Sequence, residues 1–294
     1  MQGVHGAMMA ATAAIGVLTV MDGIVKHVST ELATPQIVFL RYMSGAICAA
    51  IVFRIAGTVR PSTAAVRAHA LRSLAVALTA TSFFYALATL QLAVAMALGF
   101  TAPIFIALFA ALTLGERPGR ATWVAIAIGF AGVLVVLSGE LSEAGRTTWL
   151  GVAAALFSAV AYAVVMVMLK NRAALDPVPT IVLLQNVLAG LFMTPAGLWA
   201  WSPLSLTAAL WLALIGVLGT VGHLAMAWAY GRAEASRLGV LEYTAFVWAA
   251  LIGVGILRRD PVPEHGCRRL PDHCGRAAGG APPKLKAGAG IPQP

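Results

Sequence analysis

"YALATLQLAVAMALGFTAPIFIALFAALTLGERP", residues 85–118, lies without a gap over "WAYGRAEASRLGVLEYTAFVWAALIGVGILRRDP", residues 228–261, when the chain is shifted by 143 positions. Eight positions in that window are identical, among them Thr101 with Thr244, Ala102 with Ala245 and Pro118 with Pro261. Both copies are apolar and built largely from small residues, the composition of helices that pack against each other inside a bilayer. An internal repeat at this spacing means one architectural unit used twice.

The rest of the chain agrees with a membrane setting. Of its 294 residues, 60% are hydrophobic and only 11% charged, which excludes a soluble globular domain. The formal net charge of +9 does not mark a nucleic-acid binder, because the cations fall in short gaps between apolar runs and form no interleaved basic and aromatic surface. About 20 apolar residues cross a bilayer. That rule predicts nine spans, at 7–28, 35–55, 71–91, 94–114, 121–138, 149–169, 179–200, 208–229 and 236–257. The first is too long, and too poor in a small-residue cleavage site, for a removable signal peptide.

Lys and Arg set the orientation. With the N-terminus in the cytoplasm, the inside gaps hold Arg54, Arg60, Arg67, Arg72, Arg117, Arg120, Lys170, Arg172, Arg232 and Arg237, against Lys26 and Arg146 outside. Trp199 and Trp201 then fall at the outer interface, where amphipathic rings are favoured. The 143-residue shift carries each span onto the span five later, an odd number, so the two copies cross the membrane in opposite directions. This is the inverted repeat of secondary transporters. It divides the chain into a first five-helix unit, 1–143, a second unit, 144–257, that lacks its last helix, and a tail, 258–294.

With "FLRYMSGA" in the second span, "ALGFTAPIFIALFAALTLGERP" through the fourth and its exit, and "LEYTAFVWAAL" in the ninth, the chain resembles an EamA-type permease of the drug/metabolite transporter superfamily over about residues 7–257. The resemblance implies an all-α, polytopic fold of ten helices as two inverted five-helix repeats, cytoplasmic termini and a central substrate cavity. It also implies substrates such as amino acids, S-adenosylmethionine, riboflavin or toxic analogues. Only nine of the ten helices are present.

The departure begins where a second "GERP" is due: Gly115-Glu116-Arg117-Pro118 is answered by Arg258-Arg259-Asp260-Pro261. Codons compatible with the tail, read one nucleotide later, spell GEIPSRNTVAGACLIIAGALLA, which is a helix of the missing kind. The tail reads as a frame shift near residues 254–257. On this reading His265, Cys267, His273 and Cys274, whose side chains would suit zinc, are an accident of frame; their spacing matches no common finger.

Ionisable groups inside spans are functional candidates. Asp22 and Arg41 each lie about six residues from the outer membrane face, roughly 9 Å deep at 1.5 Å per residue. They are placed either to pair or to bind and gate a substrate, and Lys26, one turn on, competes for Asp22. Gln185, Asn186, His223 and Glu242 form a second group at similar depth from the cytoplasmic face, with Gln185 answering Arg41 in the repeat. Glu242 is a candidate proton carrier or a structural carboxyl, and His223 a candidate for helix-to-helix hydrogen bonding. Tyr85, Phe100, Phe105, Tyr243 and Trp248 are candidates for the cavity wall or for packing, with Thr101 beside them. Pro103 frees a carbonyl within the fourth span and marks a possible hinge.

The sequence thus describes an inner-membrane secondary transporter of a small polar or amphipathic metabolite or drug, working by alternating access. Its partners are the small-molecule substrate, the lipid bilayer and a proton as candidate coupling ion; no cofactor, catalytic residue, metal or nucleic acid is expected. No G-x-x-x-x-G-K-[ST] loop for a nucleotide engine occurs. The rivals are an inert product of the shifted frame and a membrane-embedded enzyme, for which His223 with Glu242 is the nearest approach to a site.

Overall fold

A computed structural model describes residues 2–141 and 148–248. It is all-α. Its helices are α1 (Gln2–Val28), α2 (Thr34–Ile55), α3 (Thr63–Thr89), α4 (Leu92–Gly99), α5 (Ala102–Leu114), α6 (Arg120–Leu141), α7 (Trp149–Ala173), α8 (Val178–Trp199), α9 (Leu206–Tyr230) and α10 (Ala235–Val240). A single 3-10 turn, Leu241–Tyr243, follows α10, and residues 244–248 are again helical.

The starts and stops follow from local chemistry. Ser62, Thr148 and Ser205 precede α3, α7 and α9, and each side-chain oxygen accepts a hydrogen bond from an amide of the first turn, at Ala65, Gly151 and Ala208. Pro35, Pro103 and Pro179 sit in the first turns of α2, α5 and α8, where a missing N–H costs nothing. Gly115 ends α5 at φ +67°, a left-handed conformation that only glycine adopts without strain.

Seven helical stretches among the described residues are long and apolar enough to cross a membrane, and α6 contributes a shorter apolar stretch, Arg120–Gly132. The protein is therefore a polytopic helical membrane protein. The second part of the expected ninth span, and the tail with its His265, Cys267, His273 and Cys274, lie outside the described residues.

Two expectations need correction. The third helix begins at Thr63 and not near residue 71, so Arg67 and Arg72 lie within it. Arg72, assigned to a cytoplasmic gap because it is charged, is fully buried and donates to Gln185 Oε1 at 2.5 Å. The fourth span is not one kinked helix but two, α4 and α5, separated at Phe100 and Thr101. Pro103 starts the second of them.

Packing joins early helices to late ones. α1 lies on α9, α2 on α8 and α9, and α3 on α7 and α8. Close approach at the α2–α8 seam depends on Gly45, where any Cβ would run into Asn186 Oδ1; on the α9 side, the Thr220 hydroxyl, which donates to the Gly216 carbonyl of its own helix at 2.8 Å, also lies 3.2 Å from the Gly45 carbonyl. At one end of α2 the buried Gln36 donates to the Ser202 carbonyl and accepts from the Ser202 amide and hydroxyl, fixing the helix to the α8–α9 connection.

Several contacts recur 143 or 144 residues apart. Lys26 on α1 donates to the carbonyls of Leu87 and Leu90 at the end of α3. Lys170 on α7 donates to those of Tyr230 and Ala233 at the end of α9, at 2.9 and 2.7 Å. The last carbonyls of a helix have no partner within it, and an ammonium group supplies one. Phe100 and Tyr243, themselves 143 positions apart, touch each other with ring centroids 6.0 Å apart.

Candidate functional site

A cavity of about 180 Å³ lies within the bundle, lined from α1, α2, α3, α4, α7, α9, the start of α5 and the segment after α10. Of the residues expected to matter, Asp22, Arg41, His223 and Glu242 line it together. The two groups placed by depth from opposite faces of the membrane therefore meet in one chamber.

Arg41 is only 4% exposed, and neither Nε nor Nη1 has a hydrogen-bond partner. Its guanidinium stacks over Tyr42 at 4.3 Å from the ring centroid and faces Phe84 at 6.0 Å. Aromatic faces stabilise a desolvated cation without consuming its donors. Asp22 is within electrostatic reach of Arg41 and Glu242 but joins neither in an ion pair. The anticipated Asp22–Arg41 ion pair does not form, and Lys26 does not compete for Asp22, because its ammonium group is taken up by the two α3 carbonyls.

Glu242 accepts from the Tyr162 hydroxyl at 2.7 Å. Tyr162, Thr19, Thr79 and Ser158 add hydroxyls to the lining. Thr19 is tied to the Ile15 carbonyl and Ser158 to that of Ala155. His223 Nδ1 lies 2.6 Å from the Gly219 carbonyl of its own helix; its expected bond to another helix is absent, and the ring stands on the cavity wall.

The remaining candidates sit elsewhere. Gln185 is occupied by Arg72, and Asn186 donates to Val182 of its own helix while packing on Gly45. Depth, and for Gln185 its correspondence to Arg41 in the repeat, placed both in the pathway, but each faces a neighbouring helix. Tyr85 is half-buried on α3 and outside the lining. Thr101 donates to the Leu98 carbonyl at 2.8 Å across the α4–α5 break, and Pro103 is buried two residues on. Tyr243 packs over Gly129 of α6 and against Phe100, and of that pair only Phe100 reaches the cavity. Trp248 donates to the Thr12 carbonyl at 3.1 Å and lies over Gly16, closing the bundle against α1. Phe105 stacks on Phe109 of its own helix, with centroids 6.2 Å apart.

Sequence reasoning missed Tyr162, Thr19 and Ser158. A signal existed: Thr19 and Tyr162 are 143 positions apart, as are Ile15 and Ser158, and all four line the cavity.

The model of the EamA-like transporter family matches the chain twice, over residues 3–138 and 149–265. The chain belongs to the EamA-like transporter family. This transporter is 30% identical to the pseudopaline exporter CntI of Pseudomonas aeruginosa, over 84% of its own length and 85% of that protein's. It is 33% identical to a riboflavin transporter of Rhizobium johnstonii, over 57% of its own length and 55% of the relative's. A protein crystal structure that is 24% identical superposes with a TM-score of 0.68, covering 85% of this chain and 89% of that one, and shows the same fold. The cavity draws its lining from both matched stretches.

Proposed function

We propose that this EamA-like chain is a secondary transporter, moving a small polar or amphipathic metabolite or drug across the inner membrane by alternating access and catalysing no chemical change. The observation that carries the reading is the cavity itself: ionisable groups inside an apolar bundle are costly, and here Asp22 and Arg41 of one matched stretch share a chamber with His223 and Glu242 of the other. The two repeat units, 1–143 and 144–257, act as inverted halves that rock against each other, with the N-terminus cytoplasmic as the Lys and Arg distribution favours. The breaks between α4 and α5 and after α10 are the natural places for the chain to flex. Glu242 is the coupling acid for protons, held and oriented by Tyr162. The tail, 258–294, is out of frame in this reading, which resequencing around codons 250–260 tests.

The relatives are named for an exported compound and for riboflavin, which makes both compounds first candidates for transport assays. The cavity is smaller than the roughly 300 Å³ at which pockets for drug-sized ligands begin, which favours a compact metabolite. Solute counterflow decides the class. Proteoliposomes preloaded with an unlabelled metabolite mixture are expected to concentrate a labelled member of it transiently. Counterflow absent for every metabolite, together with chemical conversion of one of them, would instead establish the enzyme.

A further inference from the structure

At the end of the bundle that carries the α7–α8 connection, one carboxylate ties three helices. Asp176 Oδ2 meets His69 Nε2 of α3 at 3.0 Å and accepts from Arg172 Nε of α7 at 2.8 Å, and Asp176 itself leads into α8. Of the three ion-pair contacts among the described residues, only His69–Asp176 joins one matched stretch to the other. The far end of α8 lies about 33 Å away at 1.5 Å per residue. There Gln36 and Ser202 join the two stretches through uncharged groups.

The Asp176 latch stands just beyond the cavity on both of the walls it ties. Val76, the first α3 residue of the lining, follows His69 by seven residues, and Met166, the last of α7, precedes Arg172 by six. On either helix the separation is roughly 9–11 Å. Over this interval α3 faces α8 with polar groups that are dry. Arg72 is fully buried, donates to Gln185 Oε1 and leaves Nε and Nη1 without partners. Gln185 Nε2 and His69 Nδ1 are also unpartnered, and the buried Ser73 hydroxyl lies 3.5 Å from the Leu184 carbonyl. A permanent plug is better built from apolar side chains, because a buried polar group left without a partner is costly. Idle polar groups standing in line between a cavity and one end of the bundle are explained if water reaches them when that end opens.

We propose that the seam between α3 and α8 is the route from the cavity to this end of the bundle, and that Asp176 is its gate residue. This deepens the carrier reading and rests on it. Release of His69 from Asp176 frees α3 from α7 and α8 together, and hydration of Arg72 and Gln185 follows. The latch is suited to breaking once per cycle. Asp176 and Arg172 are 13% and 21% exposed, so water can replace the partner that each loses, and such a contact is weak enough to open.

The test uses the full chain in nanodiscs, where both faces meet the reagent, with Cys48, Cys267 and Cys274 changed to serine and one reporter cysteine added. Ser73→Cys reports on the seam, and Ala208→Cys, buried in the first turn of α9, reports on the opposite end. The readout is the rate of labelling by a membrane-impermeant maleimide. Asp176→Asn should speed labelling at the seam by about tenfold and leave the opposite end unchanged or slower. His69→Leu removes the α3 side of the latch and keeps the Arg172–Asp176 contact. It should act in the same direction, and it decides the matter if Asp176→Asn does not fold. An unchanged rate at the seam overturns the proposal, and so does equal acceleration of both reporters, which marks a loosened fold and not a gate. Counterflow separates this from the carrier reading. Solute exchange with the seam reporter protected in every variant would remove the route and leave the carrier. Opening of the seam by Asp176→Asn without counterflow of any solute would remove the carrier and leave the gate.

Discussion

The two stretches matched by the family model share a frame and differ in chemistry. Position pairs 143 apart, such as Asp22 with Val165, Ala80 with His223 and Gly99 with Glu242, line the same cavity, and in each pair only one member is ionisable. The clamps, by contrast, are kept: Lys26 and Lys170 cap corresponding helix ends. The difference separates two demands. On the proposed transport cycle, helices that move as equivalent bodies need equivalent mechanical ties, whereas a solute that is not itself symmetric needs its recognition groups only once.

The largest effect expected from breaking this division is at Glu242, whose counterpart Gly99 carries no side chain. Glu242→Gln keeps the shape and a hydrogen-bond acceptor for Tyr162 while removing titration. In proteoliposomes with a counterflow substrate it should abolish accumulation driven by a pH gradient and leave exchange at zero gradient nearly unchanged. Retained gradient-driven accumulation would reduce Glu242 to a structural carboxyl.

Next come the clamps, where the halves should behave alike. Lys26→Met and Lys170→Met each strand two helix-end carbonyls, and a hydrogen bond to a charged group contributes about 1.5–3 kcal/mol. Each variant should therefore unfold at a lower temperature in detergent, by similar amounts. A large loss at one position with none at the other would show that the recurring contacts are not mechanically equivalent.

The contrast between frame and chemistry also explains what the sequence disclosed. Apolar runs and the 143-residue repeat were legible because bilayer thickness and helix rise are common to all such proteins. The start of α3 was not, because Arg67, His69 and Arg72 lower the hydropathy of a stretch that is nonetheless helical from Thr63. The fold hides two of them instead, Arg72 against Gln185 and His69 within 3.0 Å of Asp176. In the site, depth along a helix placed Asp22 with Arg41 near one membrane face and His223 with Glu242 near the other, and it is the fold that brings all four to one cavity. Depth failed for Gln185 and Asn186 because it carries no information about which way a residue faces around the helix. Tyr162 lay hidden as one aromatic among many apolar residues, and extending the repeat beyond residues 85–118 would have exposed it opposite Thr19.

A smaller effect is expected at the seam between the halves. Gly45→Ala pushes a methyl group into Asn186 and the α2–α8 contact, an overpacking that costs about 1–3 kcal/mol. Gly23→Ala on α1, where nothing stands within 4 Å, is the control and should be neutral or slightly stabilising. Equal stability of the two variants would mean that the seam yields, and that the halves are less tightly fitted than their backbones suggest.

The smallest expected effect tests the place where the halves differ most locally. Glu116, which follows α5, accepts hydrogen bonds from the amides of Ala235 and Ser236 at 2.8 and 2.9 Å and from the Ser236 hydroxyl at 2.7 Å, and so closes the first turn of α10. The equivalent helix, α4, begins at Leu92 with no side-chain cap among the described residues, and the position answering Glu116 is Arg259, outside them. A lost cap costs about 0.5–2 kcal/mol, and on a short helix that energy appears as local opening rather than global unfolding. Hydrogen exchange should therefore find the amides of 235–240 better protected than those of 92–99 in the native chain. Glu116→Ala should erase the difference by a factor of about ten, with little change in melting temperature. If α4 and α10 exchange equally before the substitution, the carboxylate cap is not what distinguishes them, and the asymmetry must lie in how the surrounding helices cover the two turns.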